Sequence, residues 1–242
     1  MLKFIADFLN YEKQKEGIEL KEFPNGTEYV NSSLKKYNYL HSFYNPLNDE
    51  QIDKLQNDVN VAQKASYIFP EWYREFFKTS NGLNIFYGAI SFYGEQTPMV
   101  YDPRYGHIEA LVERDNPQWM APYNLRYTRS VKYDKSAQNR WLTIGSYHAD
   151  GTQIAWDFNK ENIVIMYPLP VTMPMKEFKK LKEADYENLI INSWKNFEDF
   201  FIDESQRLQD VFKQCVGWEE IDQADLEFWK KTLPIGHKKF QI

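Results

Sequence analysis

The chain is 242 residues long, carries one cysteine, Cys215, and has a formal net charge of −6 at pH 7. A chain this long buries about three quarters of its unfolded surface, so its core needs neither metal nor disulfide support. The negative balance repels phosphate backbones, a lone cysteine closes no internal disulfide, and no stretch reaches the ~20 apolar residues of a membrane helix, so nucleic-acid binding, a disulfide scaffold and a membrane span are set aside.

The first stretch, MLKFIADFLNYEKQKEG, interrupts its apolar residues with Asp7 and lacks a small-residue cleavage site, which predicts an amphipathic helix rather than a signal peptide. FPNGTEYVNSS follows as a hairpin or loop, punctuated by Pro, Gly and Asn. Residues 1–45 therefore read as an N-terminal extension packed on the main domain.

In NPLNDEQIDKLQNDVNV, Asn48 or Asp49 can cap a helix whose Ile52, Leu55 and Val59 recur at helical spacing. Phe69, Trp72, Tyr73, Phe76 and Phe77 then form one apolar stripe on a second helix opening at Pro70, with Glu71, Arg74, Glu75 and Lys78 on the other side. Such a stripe belongs to a core rather than a binding platform. Asn81-Gly82 supplies the stop, and the aromatic runs LNIFYG and AISFYG read as short strands ending at Gly88 and Gly94.

Residues 95–140 form a polar, Tyr- and Arg-bearing insertion, with a short helix expected in HIEALVERDNPQWM. RWLTIGSYHADGTQIAWDF predicts two strands joined through His148-Ala149-Asp150-Gly151, and the unbroken run Ile163-Val164-Ile165-Met166 predicts a strand covered on both faces. A long helix is expected from near Ser193, with Phe197, Phe200, Phe201, Leu208, Val211 and Phe212 on its apolar side. Cys215 then sits among Val211, Phe212 and Val216 as a packing residue, and Trp218, Phe228 and Trp229 predict a tail, 216–242, that packs back.

Chemistry-bearing patterns are sparse. Ser146, His148 and Asp150 alternate, but residues two apart on a strand stand about 6.8 Å apart, beyond hydrogen-bond reach, which argues against a triad. His41, His107, His148 and His237 show no metal-ligand spacing, and no glycine-rich phosphate loop precedes a helix. Asp157 interrupts an apolar strand and reads as a hydrogen-bonded structural aspartate, the competing reading being a carboxylate enzyme in which it works with Glu95 or Asp102. No cofactor is expected. Between Glu183 and Glu227, thirteen acids face only Lys195, Arg207 and Lys213, an acidic surface suited to a basic partner.

Taken in order, PLNDEQIDKLQ, FPEWYREFFKTSNGL with its two FYG repeats, WLTIGSYHADGTQIAWDF and SWKNFEDFFIDESQRL resemble the SUKH superfamily across residues 46 to 212. That group includes the fungal cell-wall synthesis regulator and many bacterial toxin-immunity proteins. By this resemblance Pro70, Trp72, Tyr73, Phe76, Asn81 and Gly82 match its helix-to-strand segment, Ile144 and Gly145 its "IG" strand, and Gly151 and Asp157 its hairpin ending in an aspartate. The resemblance implies a single-domain α+β fold, SUKH-like, with a mixed or mainly antiparallel sheet flanked by helices, over 46–215 with the 95–140 insertion.

It further implies a non-catalytic protein-binding domain in the cytoplasm: an immunity protein that neutralises a toxin domain such as a nuclease, or alternatively an intracellular regulatory or scaffolding adaptor. The protein partner is expected to present a basic surface, with no nucleic acid or membrane involved. The partner-binding residues expected are Tyr93, Glu95, Asp102 and Tyr147, near strand ends and the insertion, and Asp199, Asp203 and Asp210 on the acidic helix.

Overall fold

The structure, a computed structural model, describes residues 2–23, 26–31, 40–95, 139–167, 180, 182–213 and 226–237. Within them a nine-stranded antiparallel sheet runs in sequence order, every strand beside its chain neighbour. This is the α+β architecture expected, with the sheet antiparallel throughout.

Helix α1 (Lys3–Lys13) buries Ile5, Phe8 and Glu12, one stripe of its turns. Strands β1 (Ile18–Phe23) and β2 (Gly26–Asn31) pair antiparallel from Ile18↔Asn31 to Phe23↔Gly26, the hairpin of the two readings open for FPNGTEYVNSS. β3 (His41–Tyr44) pairs with β2 and, through Phe43↔Leu83, with β4 (Leu83–Ile85). The N-terminal residues thus supply three strands of the same sheet, joined to the rest by ladder hydrogen bonds.

α2 (Asp49–Gln63) starts with a reciprocal cap: the Gln51 N–H donates to Asn48 Oδ1 and the Asn48 N–H to Gln51 Oε1, each at 2.9 Å. α3 (Glu71–Thr79) starts after Pro70 and sets Tyr73, Phe76 and Phe77 into the core. Trp72 is only half-buried, stacked on Phe197 at 4.8 Å between ring centroids. Gly82, at φ 84°, turns the chain into β4.

β4 and β5 (Ile90–Phe92) are linked by a turn in which Phe86, Tyr87 and Gly88 all have positive φ, 51°, 59° and 80°. β6 (Trp141–Tyr147) and β7 (Gln153–Asp157) are the predicted hairpin, and Gly151 at its turn has φ +75°. Residues 96–138, including the helix expected in HIEALVERDNPQWM, lie outside the described residues, as do Cys215 and Trp218.

A β-bulge decides which way β6 faces. Thr143 pairs with Ala155 but Gly145 pairs with Ile154, leaving Ile144 as the extra residue. Side chains alternate along a strand, so one extra residue flips the parity of everything after it. Tyr147, which would otherwise share a face with Trp141 and Thr143, turns into the main core. At Gly145 a Cβ would lie 2.6 Å from the Ser91 carbonyl oxygen on β5, so a side chain has no room where the strands meet.

β8 (Asn162–Met166) is covered on both faces, as its unbroken apolar run predicts. Ile163 and Ile165 join the main core, while Val164 and Met166 pack with Trp141, Ala155 and Tyr186 of the short α4 (Glu183–Glu187). The long helix does not begin near Ser193. Ser193 pairs with Val164 in β9 (Ile190–Trp194), and α5 (Phe197–Lys213) starts only after Asn196, whose Oδ1 accepts the Asp199 N–H at 2.8 Å. The ladder with β8 holds those residues in the sheet. α6 (Leu226–Thr232) packs Phe228 and Trp229 back into the core that α1, α2, α3 and α5 share.

Candidate functional site

Asp157 ends β7 fully buried, with its carboxylate surrounded by donors. Arg140 Nε reaches both oxygens at 3.2 Å, Arg140 Nη2 and Trp141 Nε1 reach Oδ2 at 2.9 and 3.0 Å, and the Asn159 and Lys160 N–H groups reach Oδ1 at 2.9 and 3.2 Å. Arg140 also pairs with Glu187 and lies 4.1 Å over the Trp141 ring. Hydrogen bonds from Arg140 and Lys160 hold the Glu187 carboxyl below its usual range. Every acceptor direction of Asp157 is used to fasten β6, β7 and the following turn, the structural role its sequence context predicts. No oxygen is left for a substrate.

The alternating residues of the β6–β7 turn also divide their partners. Asp150 Oδ2 meets His237 Nε2 at 2.9 Å, and the same nitrogen lies 3.2 Å from Thr152 Oγ1. His148 instead sets its ring against Trp229 at 5.2 Å. A nucleophile–base–acid relay needs the imidazole between its partners, each on a different nitrogen, and neither histidine is placed so. Among the described residues no group of His, Cys, Asp and Glu is arranged to hold a metal ion.

Two buried charge networks join distant elements. Glu204 on α5 accepts the Tyr147 hydroxyl at 2.7 Å and a bidentate grip from Arg207, which continues to the Thr232 carbonyl at 2.8 Å. Tyr147, expected at a strand end with its ring available to a partner, is therefore a core residue, its phenol pushed up by burial. Five residues further along α5, Gln209 donates at 2.9 Å to Glu12 Oε1, which also accepts from Lys15 at 2.6 Å, with His41 Nε2 3.4 Å from Oε2. The Phe86 N–H donates to His41 Nδ1 at 3.2 Å, so that nitrogen carries no proton and Nε2–H faces Glu12. Burial pushes the His41 imidazole down.

The other expected contact residues divide by exposure. Tyr93 is half-buried against the core, and Glu95 is half-buried and pairs with Lys54 at 3.3 Å. Asp102 lies outside the described residues. Asp199, Asp203 and Asp210 are exposed along α5, as their spacing implies, and their hydrogen-bond donors are chiefly neutral: the Asn196 amide for Asp199, the Trp194 indole for Asp203 and the Gln206 amide for Asp210.

The family model of the SMI1 / KNR4 family (SUKH-1) matches residues 46–203, more than half of the chain. The chain belongs to the SMI1 / KNR4 family. No curated protein and no solved structure gives a match. The SMI1 / KNR4 match begins just before α2 and ends within α5, so α1, β1, β2, β3 and α6 lie outside it. Pro70, Tyr73 and Phe76 stand at the start and on the buried side of α3, Asn81 and Gly82 at its exit, and Ile144 and Gly145 at the bulge. In this SMI1 / KNR4 chain those motif residues all serve packing, turns or close strand approach. No helix among the described residues is long and apolar enough to cross a membrane.

Proposed function

We propose that this chain is an immunity protein, a non-catalytic binding domain that neutralises a toxin domain with a basic surface, such as a nuclease, in the cytoplasm. The SUKH superfamily is generally protein-interacting and includes toxin-immunity proteins, which is the background for the reading. The observation that carries it is α5. One side is locked into the core by Phe197, Phe200, Phe201, Leu208 and Phe212, while Glu198, Asp199, Asp203 and Asp210 stand in solvent. Such a face accelerates encounter with a cationic partner and selects against acidic ones. The buried acids support the same reading from the other side, because Asp157 and Glu204 are spent on Arg140 and Arg207.

Co-expression with an effector encoded by a neighbouring gene tests the proposal. Growth should be restored, and the purified pair should bind at about nanomolar strength. An effector that stays toxic and does not bind removes the immunity reading. A spread of weaker housekeeping partners in its place would favour a regulatory adaptor.

A further inference from the structure

Helices α1 and α5 leave between them an open groove of about 420 Å³. Its floor is aromatic, with the Phe201 ring centroid 5.4 Å from Phe4 and 5.5 Å from Phe8. Tyr11 and Ile202 line it while remaining 49% and 48% exposed, unusual for large apolar side chains. Ser205, only 4% exposed, also lines the groove, and its Oγ has no hydrogen-bond partner among the described residues. A buried hydroxyl left so is costly unless something entering the groove satisfies it.

Charge says what could enter. Asp7 and Glu198 line the groove, and Asp199, Asp203 and Asp210 continue the acidic surface around α5. Of the bases, Lys3 is paired with Asp7 at 2.5 Å, Lys213 lies 3.7 Å from Asp210, Arg207 is turned to Glu204 and Lys13 ends α1. Together α1 and α5 carry seven acids against these four bases, a net of −3, so the surround is negative. An aromatic trough between two helices with an anionic surround fits an amphipathic segment carrying cations. We propose that this groove docks a basic amphipathic segment of a protein partner, its apolar side over Phe4, Phe8 and Phe201 and its cations against the acids of α5. This deepens the protein-binding reading above by giving it a surface. Half of that surface, α1, lies outside the family-matched residues.

The test is fluorescence anisotropy on the full chain with a labelled leucine–lysine amphipathic peptide, a scramble of the same composition and a leucine–glutamate counterpart. The leucine–lysine peptide should bind at about micromolar strength, roughly tenfold tighter than the scramble, and weaken as NaCl rises. Ile202→Gln should lower its affinity about fivefold, and Glu198→Lys with Asp203→Lys about tenfold, whereas Glu50→Lys on α2 should leave it unchanged. Equal binding of peptide and scramble, no effect of Ile202→Gln, or an equal loss with Glu50→Lys would overturn the groove. So would self-association that excludes the peptide, or tighter peptide binding after removal of residues 238–242, KKFQI, since a second copy or the chain's own end would then be the occupant. A neutralised effector without peptide binding sinks the groove alone; peptide binding without neutralisation of the adjacent effector sinks the immunity reading alone.

Discussion

Asn81 holds Glu95 by both of its backbone groups: its Nδ2 donates to the Glu95 carbonyl at 2.8 Å while its Oδ1 accepts the Glu95 N–H at 2.6 Å. The side chain thereby imitates one step of a strand ladder and fixes the chain where it leaves β5. Between them Gly94 passes so close that a Cβ there would lie 2.4 Å from the Asn81 carbonyl oxygen. Gly94→Ala should therefore push two backbones apart and cost about 1–3 kcal/mol, the range of overpacked sites, measured as a lower urea midpoint with an unchanged slope.

Asp157 meets Arg140 inside the protein with both carboxylate oxygens. Asp157→Asn should destabilise by about 3–5 kcal/mol, because a buried guanidinium loses the carboxylate that both of its contacting nitrogens engage. Combining it with Arg140→Met should recover part of the loss, and thermal melts of the three variants read the coupling. A double variant no more stable than Asp157→Asn alone would mean that packing, not the lost charge pair, sets the cost.

Acid should loosen the Glu12–His41 junction. Burial holds the His41 imidazole below its ordinary 6.5, so below that pH the unfolded chain takes up the proton more readily than the folded one. The stabilisation is complete above pH 6.5 and is lost as pH falls toward the folded value. Burial alone would raise the Glu12 carboxyl, but His41 and Lys15 outweigh it and leave it below 4.5, which adds a second loss in the same direction at lower pH. Urea midpoints followed from about pH 7.5 to pH 5 should fall, and His41→Gln, which cannot titrate, should flatten that part of the curve.

Trp72 gives a graded expectation. It stacks on Phe197 and meets Trp156 edge-on at 5.2 Å, yet it is half-exposed. Trp72→Ala should cost less than the about 3–5 kcal/mol of a fully enclosed tryptophan, and less than Phe76→Ala by chemical denaturation.

Much of this architecture is legible in the sequence, and where it is not the cause is specific. The α3 stripe is read correctly because one period dominates, and α2 because Ile52, Leu55 and Val59 recur at helical spacing behind the cap at Asn48. Ser193 reads as a helix start because a Ser before a run of Phe is a strong local signal, yet the ladder to Val164 outweighs it. Tyr147 reads as a contact residue because it stands near a predicted strand end, and nothing in WLTIGSY announces the bulge at Ile144 that carries it into the main core. The α1–α5 groove is out of reach of local pattern, because its two walls lie at opposite ends of the chain and Gln209 meets Glu12 only through the finished fold.

The strictly sequential strand order gives the connection between β5 and β6 unusual latitude. Both of its ends are pinned locally, where it leaves β5 by the Asn81 clasp on Glu95 and where it enters β6 by Trp141↔Asp157 and the Phe158 N–H on the Arg140 carbonyl. The entropy of closing a loop grows with the logarithm of its length, about 0.6 kcal/mol per doubling. A change in the length of that connection therefore costs the frame little free energy, far less than a change at its pinned ends.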